Sequence, residues 1–128
     1  MYNQRWGSNK YGAKKTEFNG RRYDSKFEAG VAQELDLRLK AGDIKAVDPQ
    51  FKVEVWCYRE NGLKAFKVTH KVDFRVTNND DSYELVEAKG VETQDYKWRR
   101  KFIEEIFLPD NPDYTYTVVK QRSMKGWR

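Results

Sequence analysis

Asp73, Glu87 and Lys89 are the residues whose types and spacing offer chemistry in this chain. Glu87 and Lys89 lie two apart at the end of the run Tyr83 to Lys89. In a strand, residues of equal parity share a face, so a carboxylate and an ammonium would project side by side. Asp73 belongs to a second run, Lys67 to Val76, joined to the first by the polar turn Asn78-Asn79-Asp80-Asp81-Ser82. A hairpin of the two runs places Asp73 near Glu87. Two carboxylates beside a lysine make a hard-oxygen site for a divalent cation, with a positive charge next to whatever the cation activates. So short a pattern also recurs by chance, and the same residues fit a solvated pair on an open sheet face.

The elements that must position these groups are legible from periodicity. Ser25 and Glu28 have the spacing of a capping box, opening a helix that runs to about Ala41 with Gly42 just past its end. Phe27, Val31, Ala32, Leu35 and Leu39 form its apolar stripe. Glu28 falls in the middle of that stripe, where a carboxylate is costly unless it is paired or binds a metal. Capping explains a glutamate here equally well. Glu17 to Tyr23 reads as a short extended segment broken by a hairpin turn at Asn19-Gly20. Asp43 to Gln50 is a connection in which Pro49 blocks further helix. Phe51 to Tyr58 alternates as a strand, and Asn61-Gly62 centres the next turn. In Lys67 to Val76, the even positions Val68, Val72, Phe74 and Val76 form one apolar face, which puts Asp73 on the opposite face and His70 away from it. Thr93 caps a second helix, Gln94 to about Leu108, stopped by Pro109, with Trp98, Phe102, Ile103 and Ile106 buried. Its basic first half includes Lys97, Arg99, Arg100 and Lys101, and Lys97 and Lys101 share a face that suits a phosphate or simply solvent. Asp113 to Lys120 is the last strand.

With 128 residues the chain forms one domain with a modest core. The lone Cys57 excludes an internal disulfide, fits a reducing compartment, and reads as a small core residue. No run approaches a membrane span or a secretory signal, so a soluble, cytoplasmic protein with no membrane partner is expected. The net charge of +5 is uneven. The arms, residues 1–15 and 120–128, carry eight basic residues and no acid, leaving 17 basic against 20 acidic residues between them. Lys14 and Lys15 belong to the first arm, and Tyr2, Trp6, Tyr11 and Trp127 interleave aromatics with the charge. Cationic arms with stacking rings suit a nucleic-acid partner; solubilising tails would have the same composition. His70 is the sole histidine, so there is no His/Cys zinc cluster.

The order helix, strand, strand, strand, helix, strand, with an acid on the first helix, Asp on the middle strand and Glu-x-Lys on the third, resembles the core of the PD-(D/E)XK nuclease superfamily. Tyr11-Gly12-Ala13-Lys14-Lys15-Thr16, Phe27-Glu28-Ala29, Val72-Asp73-Phe74, Glu87-Ala88-Lys89-Gly90 and Asp95-Tyr96-Lys97 ahead of Lys101-Phe102 are similar to a family of small phage endonucleases long catalogued only as a domain of unknown function. Val72 stands where the superfamily's proline would be, which removes no ligand. The resemblance implies an α/β (α+β) restriction-endonuclease-like core, α-β-β-β-α-β, with a mixed sheet flanked by helices. It implies an Mg2+-dependent endodeoxyribonuclease, with Mn2+ able to substitute, acting in phage DNA replication, recombination or processing in the host cytoplasm. Asp73, Glu87 and the Ala88 carbonyl would hold the ion, Glu28 would reach it directly or through water, and Lys89 would orient the attacking water and stabilise charge on phosphorus. Lys14, Lys15, Lys97, Arg100 and Lys101 would contact DNA. A resolvase of branched DNA has the same layout, and a catalytically silent DNA-binding module would need the basic arms but not the four site residues. Two cuts need two sites, most simply in a homodimer, with Trp56, Tyr58, Trp98 and Phe107 as candidate interface aromatics.

Overall fold

The structure is a computed structural model that describes residues 16–18, 20–23 and 25–121. Most of both arms, with Lys14, Lys15 and the Tyr11–Lys15 motif, and Asn19 of the first turn lie outside the described residues.

A small antiparallel hairpin, β1 (Thr16–Phe18) and β2 (Arg21–Tyr23), precedes helix α1 (Lys26–Lys40). Gly20 takes a φ of 76° between the two strands, a left-handed conformation glycine adopts without penalty. Strands β3 (Ala46–Tyr58), β4 (Lys64–Thr77) and β5 (Tyr83–Lys89) follow as an antiparallel meander. Helix α2 (Gln94–Phe102) runs on through a π-helical turn, Ile103–Phe107, into a last turn α3 (Leu108–Asp110). Strand β6 (Tyr114–Lys120) then pairs parallel to β5, giving a mixed four-stranded sheet of order β3-β4-β5-β6. The architecture is α+β with the expected element order.

Helix α1 starts as the sequence suggests: the Ser25 hydroxyl accepts from the Glu28 N–H at 3.1 Å, and Ala41 closes the helix ahead of Gly42 (φ 80°). Its residues Ala29, Val31, Ala32 and Leu35 pack on Phe74, Val76, Val86 and Val119. The other side of the sheet buries Val53, Val55, Val72 and Leu85 against Ile103, with Phe102 and Phe107 at the margin. The sheet is thus sandwiched between α1 and the α2–π-turn segment.

Four expectations change. Strand β3 starts at Ala46, so the connection is shorter than Asp43 to Gln50; Pro49 pairs with Phe74 on an edge strand, where a missing N–H is tolerated. Pro109 does not stop the second helix but sits in the first positions of α3, where no N–H is required of it. On α2 the buried residue is Tyr96, 3% exposed, whereas Trp98 is 60% exposed and Ile106 is also exposed. Finally, the even positions of β4 do not share one face. Val72 packs with the α2 side and Phe74 with the α1 side, two residues apart. The switch falls at Gln50 and Asp73, facing positions at which no pairing is made while the register continues on both sides. Gln50 has a φ of 56° there, a left-handed conformation that costs a non-glycine residue about 1 kcal/mol. The irregularity turns both strands over together.

Candidate metal centre and its surroundings

The break at Asp73 is also where β4 and β5 part. Their ladder runs Thr77↔Tyr83, Val76↔Glu84, Arg75↔Leu85 and Phe74↔Val86, then ends. Side chains take over the next rung: the Ala88 N–H donates to Asp73 Oδ2 at 2.7 Å, and the Asp73 N–H donates to Glu87 Oε1 at 3.1 Å. Each carboxylate therefore satisfies the backbone donor of the other strand, which anchors both groups in the gap. Short polar side chains in a run that otherwise reads as strand are the local reason the gap can open without leaving buried N–H groups unpaired.

Glu87 is 1% exposed, and its Oε2 lies 2.5 Å from His70 Nε2. The sequence sets His70 on the face away from Asp73; the structure sets it against the other acid, Glu87. His70 and Val72 precede the switch in β4 and so share the side of the sheet that Leu85 and Glu87 occupy. Counting by twos through Asp73 gives the wrong answer because the pleat is interrupted there. Glu28 is 8% exposed and close enough for its charge to act on Asp73. Burial, then the charges of Glu87 and Glu28, push the Asp73 carboxyl from 3.8 up to about 8, against the opposing Ala88 hydrogen bond and the Lys89 charge. Three acids drawn into one half-dry gap thus make it costly for all of them to ionise together.

Lys89, two residues past Glu87, holds its ammonium 4.3 Å from the centroid of the Tyr96 ring, a cation–π contact. Tyr96 comes from α2, whose first turn is capped by Thr93 accepting from the Tyr96 N–H at 3.1 Å. Its hydroxyl lies 2.6 Å from that of Tyr116 on β6. Burial pushes the Tyr96 phenol up to about 12, with the Glu87 charge adding to the shift and the Tyr116 hydrogen bond opposing it. Tyr116 is raised further, by burial first and then by Glu87. Both phenols therefore stay protonated near neutrality, paired with each other. Neither tyrosine stands out in the sequence, although Tyr96 lies inside a motif noted for its neighbours; His70 stands out as the sole histidine, but strand parity gives it no acid as a partner.

Glu28, Asp73, Glu87, Ala88 and Lys89 thus come together from α1, β4 and β5. Among the described residues, no group of three or more His, Cys, Asp or Glu side chains is placed so that it could by itself hold a metal ion. The donor set still fits one kind of ion. Mg2+ is commonly held by one or two carboxylates and completes its shell with water and substrate phosphate. Asp73, Glu87 and the Ala88 carbonyl are oxygen donors of that sort. The basic residues of α2 are placed less uniformly. Lys97 and Lys101 are exposed, Lys101 6.0 Å from the Trp98 ring. Arg100 is taken up by Glu104 at 3.2 Å and Glu92 at 3.5 Å. Arg99 pairs with Asp95 at 3.0 Å and donates to the Thr69 carbonyl.

Fold and site define a class in outline: a mixed-sheet α+β domain with acids and a lysine collected where two central strands separate. Residues 8–123 match the family described as "Protein of unknown function (DUF1064)", and the chain belongs to that family. No curated protein and no solved structure matches it. No helix among the described residues is long and apolar enough to cross a membrane.

Proposed function

We propose that the protein is an Mg2+-dependent endodeoxyribonuclease of the phage type, working in the cytoplasm of the host cell. One observation carries this reading. Asp73 and Glu87 are locked to each other's strands in the β4–β5 gap, with Glu28 close by and Lys89 two residues further on. A silent DNA-binding module has no use for three acids drawn together beside one lysine, because burying carboxylates costs desolvation that a bound cation would offset.

Asp73, Glu87 and the Ala88 carbonyl would hold the ion, with Glu28 reaching it directly or through water. When bound, Mg2+ polarises a phosphodiester oxygen and lowers the pKa of a coordinated water. The chain's own groups do the rest. His70 keeps Glu87 in place through its 2.5 Å contact. Tyr96 presents its ring to the Lys89 ammonium and restricts where that charge can go. Lys89 orients the attacking water and stabilises the negative charge that develops on the phosphoryl oxygens. A single centre cuts one strand per visit, so cutting both strands calls for two copies, most simply a homodimer.

The test is incubation of the purified protein with supercoiled, linear, flapped and four-way DNA in Mg2+, Mn2+, Ca2+ and EDTA. Nicked or linear products in Mg2+ and Mn2+ but not in EDTA are expected. Faster cutting of the four-way substrate would make the activity that of a resolvase. Undiminished cutting by Glu87→Gln would refute the mechanism.

A further inference from the structure

Beyond the rung at Phe74, β4 leaves β5 and continues with β3 as a two-stranded ribbon. Its two faces differ. One carries Phe51↔Val72, Val53↔His70 and Val55↔Val68, turned toward Ile103 and the centre of the domain. The other carries the facing pairs Lys52↔Lys71, Glu54↔Thr69 and Trp56↔Lys67, with Lys64 paired to Tyr58 beyond the bulge. Lys52, Lys64, Lys67 and Lys71 are all exposed, and Glu54 is the sole acid among these facing positions. The middle of the chain is acidic as a whole, with 17 basic against 20 acidic residues between the arms. The fold nevertheless gathers four lysines around one glutamate on this strip.

Trp56 is 40% exposed and has two lysines near its ring. The Lys64 ammonium lies 4.4 Å and the Lys67 ammonium 5.7 Å from its centroid. Glu54 in turn meets Lys67 at 3.1 Å and Lys52 at 3.8 Å. Ring and carboxylate both hold ammonium groups over the ribbon. Lys71, the last lysine of the row, stands two residues before Asp73 on β4, so the basic row ends beside the carboxylate gap.

We propose that this ribbon face is a second binding surface, which tracks the phosphate backbone of double-stranded DNA and leads it to the β4–β5 gap. Charge complementarity and continuity with the gap select the occupant. A two-stranded ribbon is also narrow enough to enter the major groove of a duplex. With four exposed lysines and one glutamate on the strip, recognition here is by phosphate neutralisation, and the surface is indifferent to sequence.

The assignment takes DNA as the partner from the nuclease reading, and its test is independent of cleavage. Binding of the full-length protein to a short labelled duplex is followed by fluorescence anisotropy in EDTA across a salt series. The Lys52→Gln/Lys67→Gln/Lys71→Gln variant is expected to bind on the order of 10²-fold more weakly at about 0.1 M salt, with the slope of log affinity against log salt shallower by roughly 2–3. Its urea midpoint should match the wild type. Glu54→Gln works in the opposite direction and keeps the test decisive should the triple variant misfold: it should bind several-fold more tightly. Unchanged affinity and slope in both variants would overturn the assignment, even if the wild type cuts DNA. Lysine-dependent binding without any cutting would leave the ribbon standing and refute the nuclease. Binding of polyglutamate but not duplex through these lysines would overturn the proposal and assign the face to an acidic polypeptide.

Discussion

Asp73→Asn should stabilise the metal-free protein at alkaline pH while abolishing cleavage. The Asp73 carboxyl is raised from 3.8 to about 8 by burial and by the neighbouring Glu87 and Glu28 charges. Between about pH 4 and pH 8 the unfolded chain gives up this proton while the folded protein keeps it. The folded state binds more protons there, so stability falls as pH rises through that window and levels off above it. At about 1.4 kcal/mol per pH unit the full span corresponds to roughly 6 kcal/mol. Repulsion from Glu87 is shared with that residue, and an asparagine amide must also be desolvated, so about 2–3 kcal/mol should appear in the variant. Asparagine retains an oxygen to accept the Ala88 N–H, so the fold survives. Urea denaturation in EDTA at pH 5 and pH 9 measures this. The wild type should lose stability between the two, and the variant should lose less by about that amount. Adding millimolar Mg2+ at pH 8 should then raise the wild-type midpoint and leave Asp73→Asn unmoved. Parallel pH dependences would refute the crowding argument; a wild-type midpoint indifferent to Mg2+ would remove the metal.

Lys89→Ala should preserve the Mg2+ shift but slow nicking by on the order of 10²-fold or more, as loss of a transition-state contact does; wild-type nicking would take lysine out of the mechanism. His70→Ala removes the partner of a carboxylate that is 1% exposed, and should weaken Mg2+ affinity roughly 10–100-fold in titration calorimetry. His70→Gln, which can still donate, should recover part of that loss, a pattern that general destabilisation would not give. Deleting residues 1–9 and 123–128 should weaken binding to every DNA sequence and flatten the salt dependence by roughly one unit per lost phosphate contact. An unchanged slope would make the arms solubilising tails. Ultracentrifugation with and without DNA should show a dimer; a monomer in both conditions that gives only nicked circles would make nicking the activity.

Much of this molecule is local in origin, and so could be read from the chain. The Ser25 cap, the stripe from Val31 to Leu35, the Gly20 and Gly62 turns and the β4–β5 hairpin each depend on residues within a few positions of one another. Asp73, Glu87 and Lys89 were legible because a hairpin and a strand period of two are enough to bring them close. What tertiary structure decided lies where two strands act jointly. The face switch at Asp73 needs Gln50 to turn left-handed opposite it, so no period counted along β4 alone could place Val72 and Phe74 on opposite sides. The same switch brings His70 onto Glu87. Burial of Tyr96 in place of Trp98 follows from how α2 meets β6, through the Tyr116 hydroxyl. The charge of the ribbon is likewise a matter of pairing. A chain whose middle is net acidic sets four lysines around one glutamate on one strip because register, and not composition, chooses which side chains face which.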